Sequence, residues 1–116
     1  MTKPRHYILY LEDIQISMLR IQEYLSNHNF DSFKEDYKTV DAVIRNFEII
    51  GEATKNLPKE VKERYPKIPW TEMYRLRNRI SHEYFGIDYQ IIWRIATDYL
   101  PENLEQINKI LETEKA

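Results

Sequence analysis

Hydrophobic positions recur with a helical period along nearly the whole chain. Tyr7, Leu11, Ile14, Met18, Ile21 and Leu25 follow one another at alternating spacings of four and three, which places them on one face of a long helix. That helix is expected to end near Ser26-Asn27-His28-Asn29, where short polar side chains compete for the backbone. Phe30 and Phe33 read as apolar cover beneath a short connection. A second stripe, Val40, Val43, Phe47, Ile50, Thr54 and Leu57, predicts a second helix. It closes at Leu57-Pro58, because a residue before proline disfavours the α region. Gly51 interrupts this helix at a cost of ~1 kcal/mol relative to alanine, and suggests a point where another helix backbone comes close.

Lys59 to Arg64 reads as a short helical turn, followed by a Tyr65–Pro69 linker. Thr71 is the expected N-cap of a third helix, with Glu72 favouring the positive end of its dipole. Met73, Leu76 and Ile80 continue that helix, which is expected to fail between Ser81 and Gly86. Asp88 is the expected N-cap of the last helix. Ile92, Ile95 and Tyr99 form its stripe, Pro101 predicts a kink, and Leu104, Ile107 and Leu111 resume the stripe. Residues 112–116 are expected to fray. Four main helices with short connections predict an all-α fold: an antiparallel four-helix-type bundle with a short extra helical turn before the third helix. Ile8, Ile44, Ile49, Ile91 and Trp93 fall beside the stripes, and their surplus predicts homodimerisation through one helix face.

Composition narrows the class. A chain of 116 residues predicts a single domain, 1–116. Its 42% hydrophobic and 31% charged residues, with only two glycines, fit soluble helices better than tight-turned sheets. There is no cysteine, so disulfides and thiol nucleophiles are excluded and a reducing compartment is expected. The start MTKPRHYILYLEDI lacks the long apolar core of a signal peptide, and no run approaches the ~18 apolar residues of a membrane span. The expected location is the cytoplasm. No glycine-rich phosphate loop, Ser-His-Asp set or Mg²⁺-type carboxylate cluster is present, and His6 and His28 lack metal-ligand spacing.

The net charge of −2 hides an uneven distribution. From Lys55 to Arg79 eight basic residues face three acids, a local charge of +5 that leaves −7 for the rest. A basic segment on an acidic body is compatible with a phosphate-binding surface, and equally with a solvated helix face. Within it stands the run RNRISHEYFGID. Arg77 is a planar fixed cation suited to phosphate oxygens, and His82 can move protons near neutral pH. On an unbroken helix residues five apart differ by roughly 140° around the axis and do not converge. A break at Ser81, ahead of the stop-and-restart residues Gly86 and Asp88, would bring His82 back toward Arg77. Together they could cleave RNA without a metal: His82 takes the ribose 2′-OH proton and Arg77 holds charge on the phosphorus oxygens. A helix-end cap is the competing reading of His82, and packing beside Phe85 that of Tyr84. Glu83 could repel phosphate or raise the affinity of His82 for its proton. Glu52 could face the cleft and orient Arg77 or a partner's group, or merely pack beside Gly51. Arg75, Arg79 and Lys67 are candidate RNA contacts.

The run Arg77-Asn78-x-x-x-His82-x-Tyr84 resembles the Arg-x4-His-x-Tyr motif of the HepT toxins, a branch of the HEPN superfamily. Ile49-Ile50-Gly51-Glu52-Ala53, Pro69-Trp70 and Phe85-Gly86-Ile87-Asp88 fall where that family has similar segments, so the resemblance covers nearly the whole chain. It implies a HEPN-like bundle, usually homodimeric, with two motifs facing a shared cleft at the dimer axis. It implies a metal-independent endoribonuclease without a cofactor, the toxin of a type VII toxin–antitoxin pair. The implied partner is an MntA-like nucleotidyltransferase antitoxin, assembled with the toxin in a larger hetero-oligomer, that transfers AMP to the motif tyrosine. Carried over, Arg77 and His82 are catalytic, Asn78 is supporting and Tyr84 is the acceptor. The competing reading is a non-catalytic helical module that binds nucleotide or the transferase partner.

Overall fold

The computed structural model describes residues 5–82 and 86–116, and those residues form helices joined by short connections. Helix α1 spans Tyr7–Leu25, α2 Phe30–Glu35, α3 Tyr37–Asn56, α4 Lys59–Arg64, α5 Trp70–His82, α6 Tyr89–Arg94 and α7 Leu100–Lys115. A π turn, Ile95–Tyr99, joins α6 to α7. The fold is the all-α bundle that the periodicity predicts, consistent with the HEPN-like architecture that the resemblance implies. Helix α3 packs against both α1 and α5, and α1 also packs against α7. No helix of the described residues is long and apolar enough to cross a membrane.

The stripes become the core. Leu11, Ile14, Met18, Ile21 and Leu25 of α1 join the apolar stripe of α3 in one buried cluster, closed by Ile80, Ile92, Leu104, Ile107 and Leu111. Capping follows the sequence at most ends. Asp36 accepts from the Thr39 amide to start α3, Asp88 accepts from Gln90 to start α6, and Leu57 turns extended before Pro58. The Thr39 hydroxyl also donates to Asp36, and these bonds hold that carboxyl below its usual range.

Several expectations are corrected. Phe30 and Phe33 do not cover a loop but form α2, started by a reciprocal Asn29–Ser32 capping box. Phe33 is fully buried, with its ring 5.3 Å from that of Trp93. Helix α5 begins at Trp70, so Thr71 sits inside the first turn, and the Pro69 carbonyl accepts from Met73 at 3.0 Å. The surplus residues are also redistributed: Ile44 is buried and Ile8, Ile49, Ile91 and Trp93 are half-buried, while Leu9, Ile16 and Leu19 of α1 are exposed. Pro101 acts through the turn before it. It has no N–H for the residue 97 carbonyl and its ring crowds that group, and the chain widens into the π turn at Ile95–Tyr99. The extra residue rotates Tyr99 off the stripe, leaving it 57% exposed.

The C-terminal residues do not fray. Helix α7 continues to Lys115, and Glu114 fixes it. Its carboxylate accepts from the Tyr7 hydroxyl at 2.7 Å, from Arg64 at 2.7 Å, and from the Tyr65 hydroxyl. The Tyr65 and Tyr7 hydrogen bonds, aided by Arg64, hold the Glu114 carboxyl down at about 2 and push both phenols up. Lys115 adds a contact to Glu12 at 3.2 Å. The local pattern of residues 112–116 carries no sign of these partners, which lie far away in the sequence.

Candidate active site

Arg77 is placed by backbone proximity before it is placed by charge. A methyl group on Gly51 would lie 2.1 Å from Arg77 Cβ, 2.8 Å from its Cγ and 3.1 Å from the Met73 carbonyl oxygen. Only a residue without a side chain allows α3 and α5 to meet so closely there. The arginine stem therefore lies across α3, and its guanidinium reaches the residue next to that glycine. Arg77 Nη2 stands 3.3 Å from Glu52 Oε2, and Nη1 donates to Asn78 Oδ1 at 3.3 Å. The two partners hold the planar group at two of its nitrogens and leave its other N–H donors for a ligand.

Around it lies an open cleft of about 380 Å3 between α1 and α3, lined by Tyr10, Arg45, Glu48, Glu52 and Arg77, with Arg5 and Asp13 at one end. Arg5 pairs with Asp13. Charge in the cleft is balanced: arginines 5, 45 and 77 face Asp13, Glu48 and Glu52. Sequence reasoning missed Arg45 and Glu48. Their signal was the spacing 45, 48, 52, which puts all three on one face of α3 beside Gly51.

His82 is exposed and lies in α5, which is described as Trp70–His82. The expected break at Ser81 is absent: α5 continues through positions 81 and 82. Serine is tolerated in a helix, and the strong stop signals, Gly86 and Asp88, come later. On one continuous helix Arg77 and His82 point roughly 140° apart and differ by about 7.5 Å along the axis. A single copy thus does not bring them together. Asn78 does meet Arg77. Tyr84, with Glu83 and Phe85, lies outside the described residues. Arg75 and Arg79 are exposed on α5 and Lys67 is exposed in the linker. None of the three lines the cleft that holds Arg77.

Comparison with known proteins gives this arrangement a context. The family model described as Ribonuclease HepT-like matches residues 14–110. A protein named "Probable ribonuclease HepT" from Thermococcus cleftensis is 42% identical, covering 87% of this chain and 92% of its own. A candidate RNase of Methanocaldococcus jannaschii is 44% identical over 89% of this chain and 85% of its own. Another, from Caldanaerobacter subterraneus subsp. tengcongensis, is 42% identical over 91% of this chain and 95% of its own. No solved structure matches the chain.

Proposed function

The chain belongs to the HepT-like ribonuclease family, and from that premise we propose that it is a metal-independent endoribonuclease toxin whose chemistry is carried by Arg77 and His82. One observation carries the assignment of the site: on the motif helix, the stem of Arg77 is seated on Gly51 and its guanidinium is held by Glu52 and Asn78 at the edge of an open cleft. A preorganised cation of this kind stabilises charge that builds on phosphorus oxygens during strand cleavage. His82, exposed on α5, takes the proton from a ribose 2′-OH. The 2′ oxygen then bonds to the adjacent phosphorus, and the 5′ oxygen leaves with a proton returned by imidazolium or water. DNA has no such internal nucleophile and is not a substrate.

The separation of Arg77 and His82 on one helix gives a reason to assemble the centre from two copies, His82 of one facing Arg77 of the other. The homodimer supplies that geometry. Tyr84, two residues beyond His82, is the acceptor of AMP from a nucleotidyltransferase antitoxin of the type VII kind. The added phosphate repels the RNA backbone and the added base occludes it. The protein acts in the cytoplasm, as part of a larger complex when silenced.

The same separation favours one other reading, a non-catalytic module in which Arg77 and His82 contact a nucleotide or the transferase. Cleavage decides between them. With chelator present, the purified protein should cut RNA and leave DNA of the same sequence intact, and Arg77→Ala and His82→Ala should each abolish cutting. Cutting that survives both substitutions overturns the ribonuclease assignment. Mass spectrometry after co-expression with an MntA-like nucleotidyltransferase should find AMP on Tyr84; an inactive complex with unmodified Tyr84 contradicts the silencing mechanism.

A further inference from the structure

A second cleft, of about 650 Å3, lies between the C-terminal end of α3, α4 and the first half of α5. Its rim carries Lys55, Lys59 and Lys62, with one acid, Glu63, among them. Its floor is Trp70, and the half-exposed ring of Tyr74 forms part of the wall. None of these residues belongs to the cleft that holds Arg77.

The groove is cross-tied. The Trp70 indole N–H donates to the Lys62 and Tyr65 carbonyls at 3.2 and 3.0 Å, and Lys62 Nζ donates to the Thr54 carbonyl at 3.4 Å. These bonds join α4 to both neighbouring helices, so the groove is formed before anything binds. Lys59 pairs only loosely with Glu63, at 3.7 Å between well-exposed groups. Among the described residues no carboxylate pairs with Lys55, and the Tyr74 hydroxyl has no hydrogen-bond partner.

The groove also has a direction. Lys55 lies one turn beyond Gly51 on the same face of α3, and Tyr74 one turn before Arg77 on the same face of α5. Because Gly51 touches Arg77, Lys55 and Tyr74 come next along the α3–α5 seam. Cations beside an aromatic face are the means by which proteins hold single strands without reading their sequence: phosphates on the cations, a base stacked on the ring.

We propose that this groove binds the single-stranded RNA flanking the phosphate held at Arg77, with Lys55 and Lys59 on successive phosphates and a base stacked on Tyr74. The proposal rests on the ribonuclease reading for the choice of RNA, but its test does not depend on cleavage. The probe is a fluorescein-labelled uridine decamer fully 2′-O-methylated, which lacks the nucleophile and is not cut. Anisotropy is followed over a range of salt, with circular dichroism confirming that each variant is folded. Replacing both exposed lysines (Lys55→Gln, Lys59→Gln) should weaken binding and lower the slope of log K against log salt by about 1.4, roughly 0.7 for each phosphate no longer neutralised. Tyr74→Ala should weaken binding roughly tenfold with the slope unchanged, and Tyr74→Phe should restore it. An unchanged slope in the lysine variant overturns the groove, as does Tyr74→Phe binding as poorly as Tyr74→Ala. Binding by a protein that cuts no RNA would retain the groove and refute the ribonuclease reading. Cutting with groove variants that bind like wild type would do the reverse.

Discussion

Gly51 on α3 and Arg77 on α5 stand so close that a methyl group on the glycine would fall 2.1 Å from Arg77 Cβ. The contact couples packing to chemistry. The glycine sets how near the two helices come, and that approach sets where the guanidinium lies relative to Glu52.

Gly51→Ala should therefore harm both stability and activity. Alanine gains ~1 kcal/mol of helix propensity, but the blocking atoms are Arg77 Cβ and a backbone carbonyl, and neither can swing aside. Forcing the helices apart costs about 1–3 kcal/mol. The net loss, up to about 2 kcal/mol, should lower Tm by roughly 4–8 °C for each kcal/mol, with RNA cleavage falling further than the folded fraction. A variant as stable and active as the parent would contradict the contact.

Glu52 should behave as a positioning residue. Its pair with Arg77 is partly exposed, 32% for Arg77 and 48% for Glu52, so Glu52→Ala should change stability by less than about 1 kcal/mol. Misplacing the guanidinium should lower kcat by roughly tenfold to a hundredfold, with a smaller effect on KM. Glu52→Gln keeps an acceptor and should recover part of the loss. An equal loss in both variants would assign the role to charge instead of orientation.

Stability should depend on pH through Glu114. Its carboxyl titrates at about 2 in the folded chain, below its ordinary 4.5, so the folded state binds fewer protons in that interval. The stabilisation is complete above about 4.5 and is lost as pH falls toward 2. Tyr7 and Tyr65 are raised above 10; their share is complete below 10 and is lost as pH rises beyond it. Denaturant titrations of the parent and Glu114→Gln should differ most between these limits and converge outside them. A constant difference from pH 2 to 7 would argue against the cluster.

Phe33→Ala should be among the most damaging substitutions away from the site. The ring is fully buried, 5.3 Å from Trp93 and 6.5 Å from Tyr89, and its removal should cost about 3–5 kcal/mol. A loss below 1 kcal/mol in chemical denaturation would mean that α2 contributes little to holding α6.

Where side-chain period and local chemistry agree, the sequence was legible. The α1 and α3 stripes, the Asp88 cap and the Leu57-Pro58 stop all depend on neighbours within a turn, and the lone helical glycine marked the close approach at Gly51. Helix α2 was missed because six residues give too short a period, although Asn29 and Ser32 had the spacing of a capping box. Tyr99 was misplaced because a π turn shifts the register by one residue. Glu114 was misread because its partners, Tyr7, Arg64 and Tyr65, are distant in sequence. Within the candidate site, Glu52 meets Arg77 as the residues suggested, and Asn78, which the resemblance gave as supporting, meets it too. The break before His82 did not occur: α5 continues through positions 81 and 82.

In the proposed homodimer each ribonuclease centre is built from Arg77 of one copy and His82 of the other. Its most direct test is cleavage by a mixed dimer. Chains carrying Arg77→Ala and His82→Ala, co-expressed with different tags and purified through both, should each be inactive alone. The mixed dimer retains one intact pairing and should regain up to about half of the parent rate. Mixed dimers that stay silent, or either variant cutting RNA alone, would contradict the account.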